Sequence, residues 1–252
     1  MDDWLGLSGA SVLVAGSGGL GSACAAGFAA AGARVAVLDR DGDRLKQLDN
    51  DIGLAAGGGM TICQDLTRHD AADLAVDLTV EAFGGLDVVV HSMGINDRRP
   101  LLAIDDDSWT QLLDTNLSTG FRLGRAAGRV MCQQQSGRIV FISSVSGLLA
   151  HKKHGPYAAS KGGLNQLMRV MAAEWAANGV TVNAVAPGYI ETPLTASYLS
   201  QPGVRQDMVG LVPAGRLALP QEVVGPILFL ASAQANFVTG HVLYVDGGRT
   251  LV

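Results

Sequence analysis

The sequence predicts a doubly wound α/β fold in which one parallel sheet of seven strands carries helices on both faces. Short runs rich in valine, isoleucine and leucine alternate with longer segments of helical period, and this alternation is typical of βαβ units. The runs Val35–Val37 and Val88–Val90 are continuously apolar, as expected of strands that helices cover on both sides. The 252 residues suffice for one large core and no linker or repeat divides them, so we expect a single domain over residues 1–252.

The predicted elements alternate in order along the chain. Strands are predicted over residues 11–15, 34–38, 60–64, 86–91, 138–143, 181–186 and 242–245. Helices are predicted over residues 20–31, 43–51, 71–83, 106–131, 157–178 and 221–231. Residues 187–220, by contrast, show no strand pattern and contain Pro193, Pro202 and Pro213. We expect this stretch to be an insertion that covers the site and moves as a lid.

A glycine-rich turn joins the first predicted strand to the first predicted helix. The turn reads Gly16-Ser17-Gly18-Gly19-Leu20-Gly21, and this pattern between a strand and a helix is typical of the dinucleotide site of a Rossmann-type fold. Glycines let the backbone turn tightly and let a pyrophosphate approach the N–H groups at the positive end of the helix. The alternative is a purely structural turn that only permits close packing of helix on strand.

Asp39 ends the second predicted strand, about 20 residues beyond the glycines. A carboxylate at this place can accept hydrogen bonds from both hydroxyls of an adenosine ribose, and its charge would repel a 2′-phosphate. Asp39 therefore favours NAD over NADP as the cofactor. Arg40 could instead pair with a 2′-phosphate, which keeps NADP as an alternative, and Asp39 could also be an ordinary turn residue.

Three polar side chains indicate acid–base chemistry on an alcohol or a ketone. Tyr157 and Lys161 stand four residues apart on a predicted helix, which places both side chains on one face. A free phenol has a pKa of about 10, and a neighbouring ammonium should lower the pKa of Tyr157 toward neutrality. Ser144 follows the fifth predicted strand, where its hydroxyl can bond a substrate oxygen.

With these residues the chain resembles the short-chain dehydrogenase/reductase family over nearly its whole length. Ser144, Tyr157 and Lys161 match the family's Ser and Tyr-x-x-x-Lys motifs, and Asn116 matches the asparagine that completes its tetrad. The resemblance implies that Tyr157 exchanges a proton, that Ser144 holds the carbonyl and that Lys161 also binds the nicotinamide ribose. It further implies that Asn116 positions a water for proton relay, and that the enzyme is a homotetramer acting on a small molecule.

Further matches extend the resemblance to the cofactor contacts. The family pattern implies contacts to the cofactor from Asp65, Leu66, Ser92, Gly94, Pro187, Gly188, Ile190 and Thr192. Two departures stand out, because His91-Ser92-Met93-Gly94 replaces the family's N-N-A-G and Ala15 replaces the usual threonine before the glycines. The glycine-rich turn is also one residue shorter than usual, so we expect its geometry to differ.

Composition limits the partners and the compartment. A formal net charge of -5 leaves no basic field for a phosphate backbone, which argues against nucleic acid. Cys24, Cys63 and Cys132 lack the spacing of a disulfide framework or a metal site, so we expect no metal and a reducing compartment. The charge-free residues 4–33 are rich in Gly, Ala and Ser, and the start Met1-Asp2-Asp3 lacks the basic residues of a secretory signal. We therefore expect a cytoplasmic protein without a membrane span.

Two basic clusters mark the expected substrate side, Arg98-Arg99 and His151-Lys152-Lys153-His154. The candidate substrate contacts are Arg99, His151, Lys152 and His154. Cations beside the catalytic tyrosine favour an anionic substrate, such as a sugar acid or a sulfonated or phosphorylated alcohol. A solvated loop or a subunit contact is the alternative interpretation of both clusters.

Within the family, residues 94–101 and 240–248 look most like gluconate 5-dehydrogenases and related sugar-acid or polyol enzymes of carbohydrate metabolism. The function predicted is therefore NAD(H)-dependent interconversion of a secondary alcohol and a ketone on a polar or anionic substrate. A 3-oxoacyl-thioester reductase is the alternative enzyme. A non-catalytic nucleotide-binding protein on the same fold is the alternative from another class.

Overall fold

Seven parallel strands form the central sheet of the computed structural model, which describes residues 3–252. Residues 1 and 2 lie outside the described residues. They belong to the predicted domain and to the start sequence that was expected not to be a secretory signal. The strands are β1 (Ser11–Ala15), β2 (Arg34–Asp39), β3 (Met60–Cys63), β4 (Val88–His91), β5 (Gly137–Ile142), β6 (Val180–Pro187) and β7 (Val242–Val245). Their order across the sheet is β3-β2-β1-β4-β5-β6-β7, which confirms the predicted doubly wound parallel fold. The order reverses between β1 and β4, and such a reversal opens a ligand crevice at the carboxyl ends of the strands.

Nine α-helices accompany the sheet within residues 3–252. They are α1 (Gly19–Ala30), α2 (Gly42–Ile52), α3 (Ala71–Phe83), α4 (Asp106–Leu113), α5 (Thr119–Gln134), α6 (Gly155–Trp175), α7 (Pro193–Leu199), α8 (Val204–Gly210) and α9 (Pro220–Ala231). No helix in the described part of the chain is both long and apolar enough to cross a membrane.

The sheet separates two apolar cores, and the alternation of side chains along β1 shows how. Leu13 and Ala15 face the core formed with α3, α5 and α6. Val12 and Val14 face the core formed with α1, α2 and α9. Since side chains alternate between the two faces of a strand, a fully apolar strand can supply both cores at once.

The helix predicted over residues 106–131 is not continuous, and that prediction is wrong in this respect. A π-helical turn, Asp114–Ser118, separates α4 from α5, and the Thr119 N–H bonds the Asp114 carbonyl five residues back. A single π-turn inserts one extra residue without changing the apolar periodicity on either side, so the sequence pattern did not show it.

Residues 187–220, here called the cover segment, lie over the carboxyl edge of the sheet. They contain the short helices α7 and α8 and one bridge of parallel type between Ile190 and Ala218. The start of α7 lies against the glycine-rich turn, since a Cβ added at Gly19 would be 3.0 Å from the Cδ of Pro193.

Candidate active site

The glycine-rich turn brings three chain segments into very close contact. Gly16 has a φ of 100°, and a Cβ at this residue would lie 3.2 Å from the backbone of Ser92. A Cβ at Gly21 would overlap the carbonyl oxygen of Gly16. Gly18 is the N-cap of α1, and nothing lies within 4 Å of a Cβ built there, so a phosphate can approach the positive end of the helix at this residue.

Asp39 ties this shortened turn to the end of β2. Its Oδ2 accepts hydrogen bonds from the N–H of Ser17 at 2.7 Å and from the Ser17 hydroxyl at 2.8 Å, while Oδ1 accepts from the N–H of Asp41 at 3.0 Å. Burial alone would raise the pKa of Asp39, but these hydrogen bonds and Arg44 hold it below its usual value. A carboxylate has about four acceptor positions, so one position on Oδ1 is left for a ligand rather than the expected two hydroxyl contacts.

Arg40, Asp65 and Leu66, which are further predicted cofactor contacts, follow the ends of β2 and β3 near Asp39. The guanidinium of Arg40 lies 3.8 Å from the carboxylate of Asp65, and Asp65 also accepts hydrogen bonds from the N–H and hydroxyl of Thr67. The Leu66 side chain is fully buried in the core, so only its backbone can face a ligand.

Lys161 and Tyr157 lie on one face of α6, as their spacing predicts. The Lys161 Nζ is 5.7 Å from the centre of the Tyr157 ring and donates a hydrogen bond of 2.8 Å to the carbonyl of Ile142. Ser144 follows β5, with its hydroxyl oxygen accepting from the Ser146 N–H at 3.1 Å. The same short segment of β5 thus orients the ammonium and presents the serine.

Burial shifts the pKa values of both Tyr157 and Lys161. Burial raises the pKa of Tyr157, and Ser144 and the positive charge of Arg98 partly oppose this effect. Burial also lowers the pKa of Lys161 to about 8. The Lys161 ammonium is itself buried and bonded to the carbonyl of Ile142. That it lowers the pKa of Tyr157 together with a bound nicotinium ring stays a prediction.

Asn116 lies in the π-turn, fully buried, and its amide is held by protein groups. Its Oδ1 accepts from the N–H of Ile95 at 2.8 Å, and its Nδ2 donates to the Ile95 carbonyl at 2.9 Å and to the Ser160 hydroxyl at 3.2 Å. Both amide hydrogens are therefore engaged, and this side chain braces the chain after β4.

Two adjoining cavities lie at the carboxyl edge of the sheet. The first, here called the glycine-loop cavity, is lined by nine of the predicted cofactor contacts: Leu20, Ser92, Gly94, Tyr157, Lys161, Pro187, Gly188, Ile190 and Thr192. The second, here called the Arg98 cavity, lies on the far side of Tyr157 and is lined by Arg98, His154, Tyr189 and Tyr198 among others. Ser144 and Tyr157 line both cavities, so a group held in each would meet at their hydroxyls.

Comparison with known proteins identifies the family. The family model described as enoyl-(acyl carrier protein) reductase matches residues 14–250, nearly the whole chain. The protein belongs to the short-chain dehydrogenase/reductase family. It is therefore an oxidoreductase that interconverts secondary alcohols and ketones with a nicotinamide cofactor.

Its relatives within the short-chain dehydrogenases act on different substrates. Galactitol 2-dehydrogenase (L-tagatose-forming) of Cereibacter sphaeroides is 38% identical over 97% of this chain and 96% of the relative. A 3-oxoacyl-(acyl-carrier-protein) reductase of Salmonella typhimurium is 36% identical over 94% of this chain and 95% of the relative. The crystal structure of a gluconate 5-dehydrogenase from Burkholderia cenocepacia in complex with NADP and tartrate is 35% identical, with a TM-score of 0.94 over 99% of this chain and 98% of that chain.

The substrate contacts predicted for this dehydrogenase need two corrections. Arg99 turns away from the Arg98 cavity, because its guanidinium pairs with Asp97 at 2.6 Å and Asp105 at 3.3 Å and donates to Ser108. Lys152 is exposed on the turn before α6 and lines neither cavity.

Arg98, the neighbour of Arg99, is the cation that reaches the cavity of the dehydrogenase. Its guanidinium carbon lies 3.8 Å from the centre of the Tyr198 ring, and burial lowers its pKa. The sequence singled out Arg99 as the candidate contact, whereas Arg98 is the member of the pair that lines the cavity. The acidic residues around Arg99, Asp97 and Asp105, are the signal that could have separated the two.

The two histidines of the predicted set lie at different depths. His154 lines the Arg98 cavity, is only 7% exposed and packs edge-on against the Tyr157 ring at 5.7 Å. Burial, with the charge of Arg98, lowers the pKa of His154 to about 4. His151 lies behind the cavity wall, where its ring nitrogens meet the Ser146 hydroxyl at 2.8 Å and the Tyr189 hydroxyl at 3.4 Å. His154 is thus placed to meet a ligand, and His151 supports the wall.

Proposed function

We propose that this protein is an NAD(H)-dependent dehydrogenase of a small polar secondary alcohol that carries an anionic group, with sugar acids as the foremost class. The observation that carries the proposal is Arg98. Arg98 lines the same cavity as Ser144 and Tyr157, its guanidinium carbon lies 3.8 Å from the centre of the Tyr198 ring, and it pairs with no carboxylate among residues 3–252. An arginine fork without an acidic partner is a good receptor for a carboxylate, sulfonate or phosphate group.

The chemistry follows from the positions of four side chains. The residues of the glycine-loop cavity fit a nicotinamide dinucleotide, because Lys161 lines this cavity and its Nζ uses one of its three hydrogens on the protein. When bound, the nicotinamide supplies or accepts the hydride at the substrate carbon. Tyr157 exchanges the proton of the substrate oxygen, Ser144 hydrogen-bonds that oxygen, and Lys161 binds the nicotinamide ribose. Asn116 holds the backbone of Ile95 at the edge of this site.

NAD is the proposed cofactor because Asp39 keeps a negative charge at the end of β2. Its lowered pKa leaves the carboxylate ionised at neutral pH, where it would repel a 2′-phosphate. Arg44 lies 3.8 Å from this carboxylate and Arg40 lies 3.8 Å from that of Asp65. Because either arginine could pair with a 2′-phosphate, the ratio of kcat/KM for NAD and NADP is the deciding measurement.

The resemblance to sugar and polyol dehydrogenases extends the proposal to the molecule as a whole. We propose a cytoplasmic homotetramer that serves carbohydrate metabolism. Leu251 and Val252 at the C-terminal end are 84% and 75% exposed, as suits residues that a neighbouring subunit would cover. Light scattering should then give four times the chain mass of 26.0 kDa.

Reduction of a 3-oxoacyl thioester is the second candidate function. The reductase from Salmonella typhimurium is nearly as similar as the galactitol dehydrogenase, at 36% against 38% identity. A thioester of this kind would place an uncharged chain, rather than an anion, next to Arg98. The two functions therefore differ in how much they depend on this arginine.

The test is a substrate screen that follows the absorbance of the reduced cofactor. Sugar acids, sulfonated alcohols, neutral polyols and 3-oxoacyl thioesters are assayed with NAD(H) and NADP(H), and each active substrate is then assayed with Arg98→Met. Losing an arginine–anion hydrogen bond costs about 1.5–3 kcal/mol, so we expect kcat/KM for anionic substrates to fall by about 10- to 100-fold.

Lys152→Met removes a cation of the same neighbourhood that lies outside the cavity, and it should leave kcat/KM unchanged. Activity confined to neutral polyols would contradict the anionic substrate, and activity confined to thioesters would favour the second candidate. An unaltered kcat/KM in Arg98→Met with a sugar acid would also overturn the proposal.

A further inference from the structure

The π-turn between α4 and α5 leaves a backbone carbonyl that a normal helix would satisfy. In an α-helix the N–H of Thr119 would bond the carbonyl of Thr115, four residues back. Here that N–H bonds Asp114 instead. The Thr119 hydroxyl replaces the missing donor, with its oxygen 2.6 Å from the Thr115 carbonyl oxygen. Thr119 thus bonds two carbonyls, that of Asp114 with its N–H and that of Thr115 with its hydroxyl.

His91, at the end of β4, fixes this hydroxyl. Its Nε2 lies 2.8 Å from the Thr119 oxygen, and the imidazole is completely buried. Two oxygens at 2.6 Å need a hydrogen between them, so the Thr119 hydroxyl donates to Thr115 and accepts from Nε2–H of His91. The imidazole is neutral, since burial lowers its pKa to about 3.

The π-turn in turn sets the position of Asn116. The Asn116 amide accepts a hydrogen bond from the N–H of Ile95 at 2.8 Å and donates to the Ile95 carbonyl at 2.9 Å. It also donates to the Ser160 hydroxyl. Ser160 donates to the carbonyl of Tyr157 at 2.7 Å. A Cβ built at Gly94, the residue before Ile95, would lie 3.6 Å from the Lys161 ammonium. The π-turn is therefore connected, through Asn116 and Ile95, to Gly94 in the wall of the glycine-loop cavity.

We propose that His91 and Thr119 are positioning residues that hold the π-turn and, through Asn116, the cavity wall beside Lys161. The chain of contacts runs from β4 through the imidazole and the hydroxyl to the Thr115 carbonyl. Without it the turn can relax to an α-helix, because the Thr119 N–H is then free to return to Thr115. The kinetic part of this proposal rests on the proposed dehydrogenase function, and the structural part does not.

The decisive variant is Thr119→Val, which keeps the shape of the side chain and removes the hydroxyl. Misplacement of an active-site group by about 1 Å can cost about 10²-fold in rate, so we expect kcat to fall about 10- to 100-fold while KM for the substrate is unchanged. Thr119→Ser retains the hydroxyl and should restore kcat. His91→Phe should lower kcat as Thr119→Val does, whereas His91→Gln, whose amide N–H can replace Nε2–H, should recover most of it.

Thr79→Val is the matched control. Thr79 is also fully buried and also donates its hydroxyl to the carbonyl four residues back, Ala75, at 2.7 Å, but it lies on α3 far from the site. The two valine variants should lose similar free energies of unfolding, while only Thr119→Val loses kcat. Equal kcat in the two variants would overturn the proposal.

Crystal structures of Thr119→Val and Thr119→Ser test the geometry without any substrate. We expect the serine variant to keep the π-turn, and the valine variant to show the N–H of position 119 on the Thr115 carbonyl with Asn116 drawn away from Ile95. An intact π-turn in Thr119→Val would refute the positioning role whatever substrate the enzyme uses. A relaxed turn in an enzyme without dehydrogenase activity would refute only the proposed function.

Discussion

At Tyr157 burial and positive charge act in opposite directions on one phenol. Burial raises its pKa, while Ser144 and Arg98 lower it. Arg98 belongs to the cavity proposed for the substrate anion, so the same guanidinium can bind the substrate and favour the phenolate. The acidity of this tyrosine therefore depends on Arg98, which lies on the substrate side of the site.

Tyr157→Phe tests the proposed acid–base role. The variant keeps the ring, its packing against His154 and the volume of both cavities. We expect turnover to fall by at least about 10²- to 10⁴-fold, with NADH binding retained in a fluorescence titration. Tyr189→Phe removes a hydroxyl from the wall of the Arg98 cavity and should keep most of the turnover. Comparable turnover in the two variants would show that the proton comes from elsewhere.

Residue spacing predicted the relative placement of Tyr157 and Lys161, but not which arginine after β4 lines the cavity. A four-residue interval on a helix determines that Tyr157 and Lys161 share a face, whatever the rest of the fold does. Nothing so regular governs the loop after β4, where Arg98 and Arg99 are equivalent by type. Which of the two turns inward depends on Asp97 and Asp105, and these contacts form only in the folded chain.

Among the elements, the π-turn was the hardest to foresee. The apolar face of α5 continues that of α4 closely enough for one long helix to be predicted. The extra residue is stabilised by His91, which is 28 residues distant from Thr119 in the sequence. Local periodicity carries no information on such a contact, so the prediction of residues 106–131 as one helix was wrong at Asp114–Ser118.

Helix α7 contributes Tyr198 to the site from the cover segment. Stacking of its ring on Arg98 at 3.8 Å is worth about 0.5–2 kcal/mol. Tyr198→Leu should therefore raise KM for an anionic substrate about 3- to 30-fold with little change in the Kd of NADH. Steady-state kinetics and a binding titration measure the two quantities. Ser197→Ala, on the exposed face of the same helix, is the control, and an equal KM in both variants would contradict the role of the stacked ring.

For the whole molecule, the order of apolar strands and amphipathic helices was enough to predict the sheet. All seven strands occur where predicted, with bounds that differ by at most two residues. The reason is that β1, β4 and β5 are apolar on both faces, and a strand of this kind can only be central to a layered α/β fold. The two helices of the cover segment were not predicted, because they are short and lie between prolines.

Two buried histidines make the stability of the whole chain sensitive to acid. Burial holds the pKa of His154 at about 4 and that of His91 at about 3, below the ordinary value of 6.5. Below pH 6.5 the unfolded chain therefore binds protons that the folded chain does not, and the free energy of unfolding falls as the pH falls. At pH 5 the expected loss is about 2 kcal/mol for each histidine.

Urea denaturation at pH 7.5 and pH 5.0 measures this loss. His154→Gln should remove about half of the difference between the two pH values, since His91 remains. His69→Gln, which replaces an exposed histidine, should leave the difference as it is in the wild type. A pH dependence that is the same in all three proteins would show that other groups cause it.

Pro193 and Thr192 lie directly against Gly19. They therefore cover part of the turn that would bind the diphosphate of a dinucleotide. A dinucleotide bound along this turn would lie next to the start of α7, so we expect this contact to open when the dinucleotide binds. Small substrates, in contrast, need only the gap near Leu194 and Tyr198, which borders the other cavity. We therefore expect the cofactor to bind before the small substrate and to leave after it, which product-inhibition kinetics would measure.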